Sequence, residues 1–110
     1  MHDHYLIVFT TYPSQDSALA AAQRLVENGL AACVNVLPQI TSVYHWDNAV
    51  QTEAECLLII KTQKNRYSAL EADIREHHPY ELPEVIATPI SHGSKDYLSW
   101  IESQIKALTK

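Results

Sequence analysis

The chain has 110 residues, room for one domain with one core and too few for two. Apolar residues make up 46% and charged residues 19%, an ordinary globular balance, while eight Lys plus Arg against thirteen Asp plus Glu leave a net charge of -5, which argues against a nucleic-acid binder with its basic face. Only two glycines occur, so there is no glycine-rich phosphate loop and no low-complexity linker.

The N-terminal stretch MHDHYLIVFTTYP has no basic segment before its apolar run, and that run is about five residues long, too short for a signal peptide or a membrane span. The expectation is a cytoplasmic protein with no membrane partner. His2 and His4 share one side of an extended segment and could hold Cu(II) adventitiously beside a free amine; the simpler reading gives this terminus no role. Tyr5 to Thr11 is continuous and rich in β-formers, which predicts a central strand covered on both faces. Pro13 ends it. Ser14 suits an N-cap and Asp16 the first turn of a helix whose apolar stripe is Ala18, Ala22, Leu25 and Val26; Asn28-Gly29 stops it.

Two long strands follow, from about Ala32 to Trp46 and from about Val50 to Thr62, with Asp47-Asn48-Ala49 as a short hairpin connection. Thirteen residues of strand reach ~43 Å, whereas a compact chain of this length has a diameter of roughly 34 Å. The hairpin is therefore expected to overhang its own domain, with Tyr44, His45 and Trp46 at a tip that one copy cannot cover, and the protein is expected to be an oligomer. Pro38 predicts a bend or bulge on an edge strand. A turn centred on Asn48-Ala49 puts Glu53 opposite Tyr44, Gln51 opposite Trp46 and Cys56 opposite Thr41. Cys33 then lies too far away to bridge to Cys56, so both cysteines read as buried thiols. Gln51, Glu53 and Glu55 share one face of the second strand by the two-residue period, and Leu57 to Ile60 is apolar on both faces.

Asn65 is placed to cap a second helix with the inward stripe Tyr67, Leu70, Ile74 and His77, ended by Pro79. Glu84 to Pro89 reads as a short edge strand. Ser94 caps a last helix with Asp96 in its first turn; Tyr97, Leu98, Ile101, Ile105 and Leu108 supply its apolar face, and Trp100 lies beside it. The order β-α-β-β-α-β-α, with right-handed crossovers, predicts an α+β fold: a ferredoxin-like sandwich over residues 1–110, both crossover helices on one sheet face and an extra C-terminal helix.

No catalytic constellation stands out, so an enzyme is not expected. The dense spot is His77-His78-Pro79-Tyr80-Glu81-Leu82-Pro83, where two imidazoles, a phenol and a carboxylate converge at a helix C-terminus. Neutral imidazole suits Cu(II) or Zn(II). Adjacent helical residues point about 100° apart, so His77 and His78 chelate one ion only if the helix frays or a third ligand arrives from a neighbour. The alternative is structural, with His77 extending the buried stripe and His78 stabilising the helix end.

The chain resembles the CutA family of divalent-cation tolerance proteins from roughly Leu6 to Leu108. The marks are Ala31-Ala32-Cys33-Val34-Asn35, Tyr44-His45-Trp46, Leu58-Ile59-Ile60-Lys61-Thr62, His78-Pro79-Tyr80-Glu81-Leu82-Pro83-Glu84 and Tyr97-Leu98-Ser99-Trp100. The resemblance implies a ferredoxin-like protomer in a PII-like homotrimer whose hairpins pair between subunits, a link to divalent-metal tolerance, and copper binding by His77 and His78. In some members a cysteine at the position of Thr10 joins them. Here that residue is threonine, so a copper site would be His-only, or His with a carboxylate, which suits Cu(II) better than Cu(I). No organic cofactor is implied. The likeness in shape to PII signalling proteins implies a second reading, a cleft between subunits for a small anion or metabolite, lined by Glu53, Lys61, Tyr80, Glu84, Tyr97 and Trp100 and covered by Trp46 and Tyr44. The bland counterpart is an interfacial salt bridge of Lys61 and aromatic packing between subunits. A structural adaptor that docks a partner protein is the third reading.

Overall fold

The computed structural model describes residues 4–107. His2 and Leu108 lie outside them. The elements are β1 (Tyr5–Tyr12), α1 (Gln15–Glu27), β2 (Cys33–Trp46), β3 (Ala49–Gln63), a 3-10 turn (Lys64–Arg66), α2 (Tyr67–His77), β4 (Ile86–Pro89) and α3 (Lys95–Ala107). The strands form one four-stranded sheet in the order β2-β3-β1-β4, antiparallel throughout. This is the ferredoxin-like arrangement with one added helix.

Alternation along the strands decides where the core lies. Leu6, Val8 and Tyr12 of β1 and Cys56, Leu58 and Ile60 of β3 point to the face covered by α1 and α2. Ser14 Oγ accepts the Ser17 N–H at 3.1 Å and starts α1. Gly29, at φ 72, stops it, as expected of a left-handed C-terminal residue. The buried stripe of α1 is Ala18, Ala21, Ala22 and Leu25, while Val26 is exposed. Three alanines let α1 sit close to the sheet, and Val26 falls just outside that narrow contact. Arg24 Nε reaches Asp73 Oδ1 at 2.8 Å and ties α1 to α2. In α2 the buried pair is Leu70 and Ile74. Asn65 does not cap this helix: it lies inside the 3-10 turn, and Arg66 occupies the cap position without a side-chain bond.

The opposite sheet face is covered in part by α3, whose Ile101 and Ile105 pack with Ala32, Tyr5 and Leu98. Ser94 Oγ accepts the Tyr97 N–H at 3.2 Å, capping α3 as the sequence predicts. Tyr97 and Trp100 stay exposed on its outer side. β1 is therefore central, but Tyr5, Ile7 and Phe9 are only partly buried, while Leu6, Val8, Thr10 and Thr11 are buried. β4 is shorter than Glu84 to Pro89 and forms the edge, as Pro89 requires. Cys33 is partly buried, Cys56 is buried, and both are free thiols.

The hairpin gives the protomer a longest dimension of 44 Å against 26 and 22 Å, so the overhang is real. Its turn is the two-residue pair Asp47-Asn48, at φ 56 and 62. Two consecutive left-handed residues match the strand twist, which a turn centred on Asn48-Ala49 would not achieve. The pairing therefore slips by two from the expected one: Gln51 faces Tyr44, and Glu53 faces Ser42. A slip of two keeps every side chain on its expected face. The register shifts again between Leu37 and Ile40, where Pro38 and Gln39 (φ 62) form the predicted bulge. Beyond that bulge Val43, Trp46 and Val50 are 66%, 51% and 69% exposed.

Leu58 is fully buried on the central strand. Leu58→Ala should cost about 3 kcal/mol through lost transfer energy and the cavity it leaves. Urea unfolding at fixed protein concentration measures it, and a loss below about 1 kcal/mol would contradict this placement of the core.

Candidate functional site

Pro79 organises the region after α2. A residue before proline is driven out of the helical region, and His78 accordingly takes φ -76, ψ 140. His77 remains the last helical residue, exposed, with Nδ1 2.9 Å from the Asp73 carbonyl and 3.7 Å from Asp73 Oδ1. It does not extend the buried stripe. His78 swings inward and is 9% exposed. Its Nδ1 accepts the Tyr80 N–H at 3.0 Å, which leaves Nε2 as the protonated nitrogen, donating to the Thr11 carbonyl at 2.6 Å. The ring stacks on Tyr12 at 4.2 Å and meets Tyr80 at 4.7 Å. Burial lowers the His78 pKa from its ordinary 6.5, opposed by the Thr11 carbonyl and the Glu55 charge.

The two histidines thus diverge within the protomer. Both ring nitrogens of His78 are occupied, so binding an ion there means breaking a buried hydrogen bond. Thr10, at the third position implied by the resemblance, is fully buried opposite Leu58, and its hydroxyl has no hydrogen-bond partner among the described residues. Among the described residues no group of three or more His, Cys, Asp or Glu is placed to hold a metal. Of this pair His77 is the solvent-exposed imidazole, with Asp73 as a neighbouring oxygen donor.

The larger feature lies beside it. Residues 78–85 fold past the end of β1 towards the hairpin, and Tyr80 donates its hydroxyl to Glu55 Oε2 at 2.6 Å. Burial, then that bond and the Glu55 charge, hold the Tyr80 phenol well above its ordinary range. Between loop and hairpin is a cleft of about 660 Å³. Tyr44 and Trp46 of β2 and Glu53 and Glu55 of β3 form one wall, and Tyr80, Glu81, Leu82 and Glu84 form the other. Asp47 and Gln51 close the end near the turn.

Of the eight residues expected to line or cover a pocket between subunits, Glu53, Tyr80, Glu84, Trp46 and Tyr44 line this cleft within the protomer; Lys61, Tyr97 and Trp100 do not. Lys61 Nζ bonds to Asn35 Oδ1, and Cys33 stands opposite Lys61 on β2. The Tyr97 phenol, raised first by burial, lies against the Cys33 thiol, and its ring is 5.5 Å from Trp100. The expected pocket therefore resolves, within one protomer, into an acidic aromatic cleft and a separate patch beside α3. The alternation of Gln51, Glu53 and Glu55 was the sequence signal for the cleft wall. Nothing local marked Glu55 as the partner of Tyr80, a contact between residues 25 apart.

A family model described as CutA1 divalent ion tolerance protein matches residues 6–104. The chain belongs to that family. It is 41% identical to the divalent-cation tolerance protein CutA of Thermus thermophilus over 86% of this chain and 92% of that protein. It is 42% identical to the chloroplastic protein CutA 1 of Oryza sativa over 92% of this chain, but spans only 57% of that relative's length. The crystal structure of CutA1 from Oryza sativa superposes with a TM-score of 0.90 at 42% identity, covering 92% and 93% of the two chains. A structure titled as the periplasmic divalent cation tolerance protein CutA from Archaeoglobus fulgidus gives a TM-score of 0.89 at 33% identity, covering 92% and 98%. The family names its members for tolerance to cations and not for a reaction.

The His78 geometry makes stability depend on pH. The folded pKa lies below 6.5, so as pH falls the unfolded chain takes up the proton first. The contribution of His78 is complete above about pH 6.5 and declines as pH falls from there through the folded pKa. His78→Phe, which keeps the stack but strands the Thr11 carbonyl and the Tyr80 N–H, should cost about 1–3 kcal/mol at pH 7.5. The gap between wild type and variant should narrow towards pH 5. Parallel pH profiles would contradict a buried neutral imidazole.

Proposed function

We propose that this chain is a divalent-cation tolerance protein that works without catalysis, as a homotrimer that binds Cu(II) or another divalent cation. The observation that carries the reading is an apolar hairpin tip left bare on a protomer of this family. Val43 and Val50, which share the ribbon face opposite Trp46, are 66% and 69% exposed, a patch that sister copies of the hairpin would cover. His77 supports the metal part, as a solvent-facing imidazole with the Asp73 oxygen nearby, a hard nitrogen-and-oxygen set suited to Cu(II). His78 enters only if an arriving ion outcompetes its two hydrogen bonds. A cytoplasmic site of action suits the two unpaired thiols. Neither nucleic acid nor membrane is part of the reading.

A second reading, a trimeric small-ligand module, is favoured by the aromatic cleft at the hairpin.

Sedimentation should give a single species near three times the 12.4 kDa protomer. Val50→Asp should shift it towards monomer. A folded wild-type monomer at working concentrations would overturn the assembly. In a Cu(II) titration, His77→Ala should weaken binding by at least about tenfold. Superimposable curves for wild type and variant would remove His77 from the metal role.

A further inference from the structure

The hairpin cleft has one sign of charge. Asp47, Glu53, Glu55, Glu81 and Glu84 line it, and no Lys, Arg or His is among its lining residues. A small-anion site, one of the alternatives open from the sequence, would draw on Lys61, which does not line this cleft and bonds to Asn35. The strongest feature is at the wall. Glu55 is 8% exposed, and among the described residues no cationic side chain forms an ion pair with its carboxylate; its partner is the neutral hydroxyl of Tyr80. A buried carboxylate without a counter-cation is costly, and a cationic ligand reduces that cost.

The rest of the lining narrows the class of cation. Tyr44, Trp46 and Tyr80 offer aromatic surface, which attracts an ammonium group and covers methylene groups but gives nothing to a hydrated metal ion. The acids do not converge on a point, because no three of them are close enough together to hold a metal. They are strung out along the cleft. Glu53 and Glu55 alternate on β3, about 7 Å apart along the strand, and Glu81 and Glu84 face them from the loop. Separated negative charges with apolar rings between them match separated positive charges with methylene chains between them.

We propose that the cleft between the hairpin and residues 78–85 binds a linear polyamine, with ammonium groups against Glu53, Glu55 and Glu84 and the methylene chain across Tyr44, Trp46 and Tyr80. This deepens the small-ligand reading of the same cleft and is independent of His77.

Isothermal titration of the intact protein with spermidine in low-salt buffer tests it. Saturable binding with one site per chain is expected, weakening as salt rises. Glu53→Gln and Glu84→Gln should each reduce affinity about fivefold to tenfold, and Trp46→Ala about tenfold, with the sedimentation of each variant checked against wild type. Magnesium at matched concentration should not displace spermidine. Absence of saturable heat, equal affinity in all three variants, or full displacement by magnesium would each overturn the proposal. A parallel thermal-shift panel of neutral and anionic metabolites separates the two levels. A shift from one of these, lost in Trp46→Ala, with none from spermidine, sinks the polyamine and keeps the ligand cleft. Silence from both sinks the cleft as a ligand site.

Discussion

β3 has to satisfy two partners of different length, and most of the molecule follows from that. Its residues from Leu57 to Lys61 pair with both β1 and β2, and Leu58 and Ile60 among them are buried against the helices. Its residues from Ala49 to Glu55 have β2 alone. A two-stranded ribbon is marginal by itself in water. The inner half therefore anchors the outer half. The bulge at Pro38 and Gln39 marks the junction, because β2 can change register only where β3 no longer dictates both neighbours. The same junction decides the chemistry: apolar alternation gives way to Glu53 and Glu55 where the third strand ends.

The order of elements and the overhang were legible because both rest on quantities a sequence carries directly. Strand length fixes reach, and proline and glycine fix where ladders and helices stop. Ser14, Gly29, Pro38, Pro79 and Ser94 all act as their local chemistry dictates. The register was less legible. Asp and Asn both tolerate left-handed backbone, so Asp47-Asn48 and Asn48-Ala49 look alike until strand twist selects the first. Val26 was placed inward on size; α1 lies close to the sheet on alanines, and its width of contact is a tertiary property. Asn65 is a good cap by type, yet a tight 3-10 turn formed around it and left Arg66 at the helix start.

The site divides along the same line. Glu53, Tyr80, Glu84 and Trp46 come together in one cleft of the protomer, and the charge and rings near the hairpin tip that brought them to notice are local facts. Lys61 bonds to Asn35 across the strand pair, a partner that only the register reveals. Helical spacing put His77 in the buried stripe and His78 at the helix end, and the structure reverses the two burials. Proline separates them, leaving one on the helix in solvent and turning the other into the interior.

His78 also explains why the loop can carry a cleft wall at all. Residues 78–85 contain no regular backbone ladder, so their position depends on side chains. His78 fixes the start by bonding to β1 and stacking on Tyr12, and Tyr80 fixes the next point by bonding to β3 through Glu55. Arg24 and Asp73 hold α1 against α2, the helix from which the loop departs. A loop pinned at two places to two different strands presents Glu81, Leu82 and Glu84 to the hairpin at a defined distance. Burying Glu55 is the cost of that arrangement. Tyr80 offsets part of it with one short hydrogen bond, and a hydroxyl cannot neutralise a charge. The cleft is thus both the place where loop and hairpin are held together and the place where negative charge is left unbalanced, which is why a cation is the ligand its geometry favours.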